Sequence, residues 1–293
     1  MLALIAGTGD LPPALIARLP ARPLVCALAG FRPSVTPDIT FRIETLGSFL
    51  AELKARSVTE VCMAGAIRRP KVDPAAIDAA TAPLVPRIAA AIAAGDDGAL
   101  RTVIAIFEEA GFTIKAAHEI APDLLPPAGI PTRAQPTARA REDAVLGDRT
   151  VAEMGAADTG QACLIRAGRV IAREGPEGTD AMIRRFAPSD DPLWGAVDAV
   201  GDLLGTAAEW LGGDDATPMD AKGAILFKAP KPGQDRRADL PVIGPETVAA
   251  AAAAQLSGIV IAADGVMILD RDRAIAAADK AGLFLWIRPE DRA

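Results

Sequence analysis

The sequence has no tyrosine, and aromatic residues make up only 4% of its 293 residues. A chain so poor in aromatic rings offers few platforms on which the bases of a single-stranded nucleic acid can stack, and its net charge of −7 repels a phosphate backbone. Both features argue against a nucleic-acid partner. The chain is nevertheless 51% hydrophobic, much of it alanine, so it can bury a large core and is long enough for two domains.

Cysteine is scarce, and no hydrophobic run is long. Cys26, Cys62 and Cys163 are odd in number and form no CxxC pair, which is typical of buried thiols in a reducing compartment. No run approaches the roughly 20 apolar residues of a membrane span. The segment that starts at Met1 has no basic region of the kind that opens a signal peptide. We therefore expect a cytoplasmic protein, at most peripheral to a membrane.

Histidine occurs once, at His118, which excludes a metal site built from several histidines. A single imidazole could still act as a base. Because Glu119 follows it at the end of a predicted strand, a hydrogen-bonded positioning pair is the more ordinary interpretation. Zinc lacks its preferred ligands here, whereas carboxylates and water suit Mg²⁺.

The N-terminal part alternates between strands and helices, which predicts an α/β domain with a parallel sheet. The domain opens with a strand at 2–6, a glycine turn at Gly7-Thr8-Gly9 and a helix to Arg18. This is how a Rossmann-like unit begins. The remaining elements predicted for this domain, residues 1–121, are strands at 23–28, 60–64 and 112–116, and helices at 46–56, 74–94 and from Asp96 until Gly111.

Five prolines between Pro122 and Pro136 interrupt this alternation, and they predict a linker over 122–150. The rest, 151–293, has the pattern of a distinct mixed α/β domain. Its predicted elements are hairpins at 161–166 with 169–173 and at 258–262 with 266–269, helices at 180–186, 247–255 and 271–281, a strand at 283–287, and an amphipathic helix followed by a mobile loop within 187–220.

The glycine turn Gly7-Thr8-Gly9 is two-thirds of a dinucleotide fingerprint, because Pro12 stands where the third glycine is expected. Three interpretations stay open. The turn could bind a nucleotide cofactor, it could offer backbone N–H groups to a phosphate or sugar, or it could be purely structural.

Two further segments hold charged groups between prolines and glycines. Lys228, Lys231 and Asp239 lie in one of them, and Glu174 and Asp180 lie in the other. Carboxylates together with lysines are the groups that metal-assisted phosphoryl chemistry requires. An ordinary basic loop and a helix cap at Thr179 or Asp180 are the plain alternatives.

The order of these motifs resembles the UDP-2,3-diacylglucosamine pyrophosphatase family of lipid A biosynthesis, in its two-domain form that is not a metallophosphoesterase. The resemblance runs from the first strand to the last. It is carried by 4–12, Gly95–Arg101, Gly111–Glu119, Asp158–Gln161, Glu177–Arg185, Lys228–Pro232, Arg237–Gly244 and Ala277–Phe284.

The resemblance implies Mg²⁺-dependent hydrolysis of the substrate's pyrophosphate to lipid X and UMP, by water that attacks the phosphate on the sugar side. It also implies a homodimer and a ligand cleft between the two domains, and contact with the inner membrane is compatible with a lipid-linked substrate. The family's catalytic aspartate falls on Asp239. Together, the segments and the resemblance predict Mg²⁺ ligands at Asp239, Asp180 and Glu174, and substrate contacts at Gly7, Thr8, Gly9, Gln161, Thr179, Asp180, Lys228 and Lys231.

Two departures from the family pattern limit what is carried over. The segment 187–220 is longer than its family counterpart, and the first turn reads Gly-Thr-Gly where a run of glycines is expected. Two rival functions therefore stay open. One is a non-catalytic protein that binds a phosphorylated glycolipid, and the other is a nucleotide-dependent enzyme that uses the glycine turn.

Overall fold

The computed structural model describes residues 1–67, 70–93, 96–188 and 220–289. Within these ranges the chain forms two compact units. Unit 1 comprises Met1–Leu125 and Gly233–Leu240, and unit 2 takes the described residues of Pro126–Pro232 and Pro241–Ala293. The chain therefore passes from one unit to the other three times. The helix and loop predicted within 187–220 fall outside the described residues from 189 to 219.

Unit 1 is built on a sheet of five parallel strands in the order β3-β2-β1-β4-β5. This order is that of a Rossmann-like sheet, so the predicted fold of the N-terminal domain is confirmed. The strands are β1 Leu2–Ala6, β2 Leu24–Leu28, β3 Ile39–Phe41, β4 Glu60–Ala64 and β5 Thr113–Lys115, and the helices are α1 Leu11–Ile16, α2 Leu46–Ala55, α3 Val85–Ala93, α4 Asp96–Glu109 and α5 Ala117–Ile120.

Aromatic residues are few, and unit 1 concentrates several of them in its core. The rings of Phe41 and Phe49 stack with their centroids 3.9 Å apart, and Phe107 meets Phe49 edge-on at 6.4 Å. These rings join strand β3 to helices α2 and α4. Ala238, from the returning segment 233–240, packs against the same core.

The long helix predicted over 74–94 is wrong in its first half. Short 3₁₀ turns occupy Pro74–Ala76 and Ala82–Leu84, and only Val85–Ala93 is α-helical. Proline is compatible with the first turn of a helix but not with its interior, because it has no N–H to donate. The prolines at 74, 83 and 86 therefore allow helical starts in this stretch but no continuous helix.

Unit 2 contains a mixed five-stranded sheet in the order β12-β10-β8-β6-β7 and a separate parallel pair, β9 with β11. Strands β8, β10 and β12 run parallel, while β6 is antiparallel to both of its neighbours. The strands are β6 Ala162–Arg166, β7 Arg169–Arg173, β8 Ile225–Lys228, β9 Val242–Ile243, β10 Gly258–Ala262, β11 Met267–Ile268 and β12 Phe284–Arg288, and the helices are α6 Ala138–Ala156, α7 Thr179–Arg184, α8 Pro245–Ala253 and α9 Arg271–Ala281.

Both faces of the larger sheet in unit 2 are covered, which explains its continuous apolar strands. Along β6, Ala162 and Leu164 belong to the cluster that includes residues of α7, α8 and α9, while Cys163 and Ile165 belong to the cluster that includes residues of α6. This alternation is the two-residue period of a strand. Helix α6 begins within the stretch predicted as a linker. Its N-terminus is capped by Thr137, whose side-chain hydroxyl accepts the N–H of Ala140.

The first predicted hairpin is confirmed by the antiparallel pairing of β6 with β7. The second is wrong. Strand β10 already has β8 on one side and β12 on the other, so neither edge is free to accept the following strand. The turn at Asp264 therefore carries the chain out of the sheet, and β11 pairs in parallel with β9 instead. None of the helices within the described ranges carries an apolar stretch long enough to cross a membrane.

Candidate active site

The predicted site residues are distributed over both units. Gly7, Thr8, Gly9 and Asp239 belong to unit 1, and the remaining predicted residues, Gln161, Glu174, Thr179, Asp180, Lys228 and Lys231, belong to unit 2. The chain leaves unit 2 after Pro232, contributes Gly233–Leu240 to unit 1 and returns to unit 2 at Pro241. Asp239 lies in this short segment.

The glycine turn is tied to the loop that follows β4. The N–H groups of Gly7 and Thr8 donate to the carbonyls of Ala64 and Ala66 at 2.8 and 2.9 Å, and Ala66 donates back to Thr8 at 2.9 Å. A Cβ atom at Gly7 would lie 2.6 Å from the Ala66 carbonyl oxygen, so this close approach requires glycine. The first two N–H groups of the turn therefore serve the fold and do not point outward to an anion.

Asp239 is half-buried and held by a neighbour that sequence reasoning missed. The side-chain Nε2 of Gln234 donates to Asp239 Oδ2 at 2.5 Å, and Gln234 is only 8% exposed. The backbone N–H of Asp239 also donates to the Asp235 carbonyl at 3.2 Å. Gln234 lies in a proline- and glycine-rich loop, where nothing in the sequence separates a buried residue from an exposed one.

An ion-pair network anchors this segment to helix α4. The Arg237 guanidinium contacts Asp235 Oδ2 at 2.7 Å and Glu108 Oε1 at 2.5 Å. The hydrogen bond and charge of Asp235 raise the pKa of Arg237, and Arg237 in turn lowers the pKa of Asp235. Both groups therefore stay charged at neutral pH, and the backbone that carries Asp239 is fixed.

In unit 2, a buried lysine and a carboxylate are joined through a hydroxyl. Lys228 Nζ donates to Thr179 Oγ1 at 2.8 Å, and that hydroxyl donates to Glu174 Oε1 at 2.5 Å. The other oxygen of Glu174 accepts the backbone N–H of Gln161 at 2.8 Å. Lys228 is 6% exposed and also donates to the Val242 carbonyl at 3.0 Å, as a buried charge requires. The structure thus brings together four of the predicted positions.

The other predicted residues of unit 2 have separate contacts. Lys231 Nζ lies 2.7 Å from Asp158 Oδ1, with the lysine side chain 11% exposed. Asp180 lies in the first turn of α7, after Gly178 at a φ of +90°, and 4.0 Å from Arg184. Gly178 provides the left-handed backbone that aims this helix.

The predicted hydrogen bond between His118 and Glu119 is not made by His118 Nδ1. Glu119 Oε2 accepts the N–H of Ala116 at 2.7 Å, which caps the start of α5, so its carboxylate is engaged by its own helix. His118 Nδ1 is buried without a hydrogen-bond partner among the described residues. Burial, followed by the nearby Arg236 charge, lowers the pKa of His118, so the imidazole is neutral at pH 7.

The described residues offer no metal site made of protein ligands alone. In the part of the chain that the structure describes, no three His, Cys, Asp or Glu side chains are grouped so that they could hold an ion. Mg²⁺ does not need such a cage, because it is usually held by one or two carboxylates together with water and substrate phosphates. The positioned carboxylate of Asp239 fits that requirement, whereas both oxygens of Glu174 already accept hydrogen bonds.

Comparison with known proteins assigns both parts of the chain to one family. Residues 1–124 match the LpxI N-terminal domain, and residues 127–286 match the LpxI C-terminal domain. The UDP-2,3-diacylglucosamine pyrophosphatase LpxI of Caulobacter vibrioides is 35% identical over 298 residues, which covers 99% of each chain. The chain belongs to the LpxI family, and the family resemblance seen in the sequence is confirmed.

Proposed function

We propose that this chain is a UDP-2,3-diacylglucosamine pyrophosphatase of lipid A biosynthesis, which yields 2,3-diacylglucosamine 1-phosphate (lipid X) and UMP. The observation that carries the proposal is the match to a pyrophosphatase named for that substrate, at 35% identity and over 99% of both chains. Both domains of that family are matched, over residues 1–124 and 127–286.

Asp239 is proposed as the catalytic residue. Its carboxylate is held by Gln234, and its backbone is anchored through Arg237 to Glu108, so it is positioned before any substrate arrives. In the proposed reaction it orients a water molecule toward the phosphorus on the sugar side. A bond forms from the water oxygen to that phosphorus, the bond from phosphorus to the bridging oxygen breaks, and UMP leaves with the bridging oxygen.

Asp239 is also the residue that we propose to hold Mg²⁺. The ligand roles that the sequence predicts for Asp180 and Glu174 stay predictions, and Glu174 already uses both of its oxygens as hydrogen-bond acceptors. When bound, Mg²⁺ would neutralise charge on the pyrophosphate and favour attack by water. The chain's own contribution is to fix the carboxylate of Asp239 in one orientation. Substrate contacts are proposed at Gly9, Gln161, Thr179, Asp180, Lys228 and Lys231. The contacts predicted at Gly7 and Thr8 are not proposed through their backbone N–H groups, because these donate within the fold. A homodimer and contact with the inner membrane stay predictions.

Release of UMP from UDP-2,3-diacylglucosamine tests the proposal, measured with Mg²⁺ and with EDTA. We expect Asp239→Ala to lower turnover at least about a hundredfold, in line with the loss of one preorganised electrostatic contact. Asp272→Ala removes an exposed carboxylate from helix α9 and serves as the matched control. Circular dichroism shows whether the variants are folded.

Each outcome has a definite meaning. Mg²⁺-dependent release that is lost in Asp239→Ala and kept in Asp272→Ala supports both the reaction and its central residue. A folded wild-type protein that releases no UMP contradicts the proposal and favours a non-catalytic glycolipid-binding protein. Equal activity of Asp239→Ala and wild type keeps the reaction but removes Asp239 from its centre.

A further inference from the structure

A cavity of about 340 Å³ lies in unit 1, at the edge of the sheet where its parallel strands end. Residues 28–31 follow β2, residues 42–44 follow β3, and Pro70 and Lys71 lie in the loop after β4. Because all three strands are parallel, these lining residues meet at the carboxyl edge. Ligands of open α/β sheets bind at this edge.

The loops that line the cavity are linked to the glycine turn. Ser34, in the loop that begins with Gly30 and Phe31, donates its hydroxyl to the Gly9 carbonyl at 3.2 Å. The loop that carries Lys71 starts at the Gly65 and Ala66 backbone, which pairs with the turn. The glycine turn and the cavity are therefore neighbours along one sheet edge.

One wall of the cavity is fixed by a buried charge. Glu44 is 3% exposed, and its carboxylate accepts hydrogen bonds from the Arg42 guanidinium at 2.9 and 3.2 Å and from the backbone N–H of Asp73 at 2.8 Å. Arg42 keeps half of its side chain exposed while this contact holds it. The fold thus holds the Arg42 guanidinium in place at the rim of the cavity.

The other lining groups indicate the class of ligand. Lys71 adds a second, exposed cation, and Phe31 offers a half-buried aromatic ring. The two cations outnumber Glu44, the one carboxylate of the lining, so the net positive charge suits a phosphate. An aromatic ring suits a nucleobase, which stacks on it. A volume of about 340 Å³ lies at the lower end of the range for small-molecule sites, so two acyl chains do not fit.

We infer that this cavity binds uridine 5′-phosphate, the half of the substrate that carries no lipid. The inference rests on the proposed function, which supplies the nucleotide. Phe31 stacks on the base, Lys71 supplies the net positive charge for the phosphate, and Arg42, held by Glu44, adds guanidinium N–H groups. The site lies wholly within unit 1, the unit that also contains Asp239.

Two substitutions test the cavity through the binding of UMP to the intact protein, measured by calorimetry. Lys71→Glu reverses a charge at an exposed position, and we expect the Kd for UMP to rise about tenfold. Ala29→Trp fills the cavity, and we expect UMP binding to be lost. Lys54→Glu makes the same charge change at an exposed position of α2, outside the cavity, and UMP should bind it as it binds wild type.

Direct binding separates this inference from the proposed function. UMP binding that is weakened by Lys71→Glu and unchanged in Lys54→Glu supports the site, even if Ala29→Trp fails to fold. Wild type that does not bind UMP, or that binds AMP equally well, overturns the assignment to uridine. If wild type hydrolyses the substrate and neither cavity variant changes KM or UMP affinity, the cavity is excluded while the proposed function stands. UMP binding without hydrolysis contradicts the proposed function alone.

Discussion

At the scale of single residues, Glu44 shows how one buried carboxylate organises a loop. The hydrogen bond from Arg42, and then the N–H of Asp73, lower the pKa of Glu44 to about 2. In an unfolded chain a glutamate titrates near pH 4.3. The folded state therefore holds this proton less tightly than the unfolded state, and the ionised carboxylate stabilises the fold above the unfolded pKa.

The lowered pKa of Glu44 leads to a prediction for Glu44→Gln. The substitution should lower the free energy of unfolding at pH 7, and its effect should shrink as the pH falls from about 4.5 toward 2, where the wild-type carboxylate gains its proton. Urea unfolding of both proteins at several pH values measures the difference. An effect that stays constant down to pH 2 would contradict the assigned pKa. Glu52→Gln, at an exposed position of α2, is the control.

Gln234 is the residue-scale contact with the most direct bearing on catalysis. If Asp239 is catalytic, loss of the amide that holds its carboxylate should lower kcat by about 10- to 100-fold, the range found for residues that orient metal ligands. We expect Gln234→Ala to show this loss with little change in KM. Gln234→Glu would place a second carboxylate beside Asp239, and repulsion should raise the pKa that governs the rate.

The pH–rate profile distinguishes orientation from a merely structural role. A structural role would lower kcat in both Gln234 variants without moving the profile. Gln255→Ala, outside segment 233–240, serves as the control. An unchanged kcat in Gln234→Ala, with turnover still dependent on Asp239, would sink the orienting role.

At the scale of elements, helix α6 packs on its sheet through a glycine. A Cβ atom at position 147 would lie 2.4 Å from Cγ of Phe227, so only glycine allows the helix to approach this close to β8. In an exposed helix, alanine would be preferred to glycine by about 1 kcal/mol. Here the contact reverses that preference.

Gly147→Ala should therefore destabilise the protein, by the roughly 1–3 kcal/mol typical of an overpacked core. Urea unfolding measures the loss. The double variant with Phe227→Leu should recover part of it, because the smaller side chain makes room for the methyl group. A higher midpoint in the single variant would show that the helix shifts at no cost, contrary to the packing described.

The bounds of a strand or helix were predictable where a local sequence pattern determined them. Strand β4 and helix α9 lie at the residues predicted, since an apolar run marks the first and Gly282, at a φ of +73°, ends the second. The failed hairpin after β10 depended on which sheet edges were already occupied, and that is a property of the whole sheet. Gln234 was missed because the pattern of a proline- and glycine-rich loop does not distinguish a buried residue from an exposed one.

At the scale of the whole molecule, the three cysteines report on both units. Cys26 and Cys62 lie in unit 1, Cys163 lies in unit 2, and all three are fully buried. Burial raises the pKa of each thiol to about 12, so the reactive thiolate is almost absent at neutral pH. The predicted state of buried, unpaired thiols is confirmed.

We expect no thiol to react with a disulfide reagent in the native protein at pH 7.5, and all three to react in guanidinium chloride. Because Cys26 and Cys62 lie on strands of one sheet, they should become reactive at the same denaturant concentration. Peptide mapping of labelled samples gives the three values. Fast labelling of any cysteine without denaturant would contradict its burial, and different midpoints for Cys26 and Cys62 would contradict one cooperative unit.

The division of unit 1 between two stretches of chain also affects how the protein is made. A ribosome delivers Met1–Leu125 first, but Gly233–Leu240 emerges only after most of unit 2 has been synthesised. Domains generally fold as they emerge, N-terminal first. The early product can form its parallel sheet while it still lacks Asp239. A chain that terminates before Gly233 therefore cannot carry the proposed chemistry, even when its parallel sheet has formed.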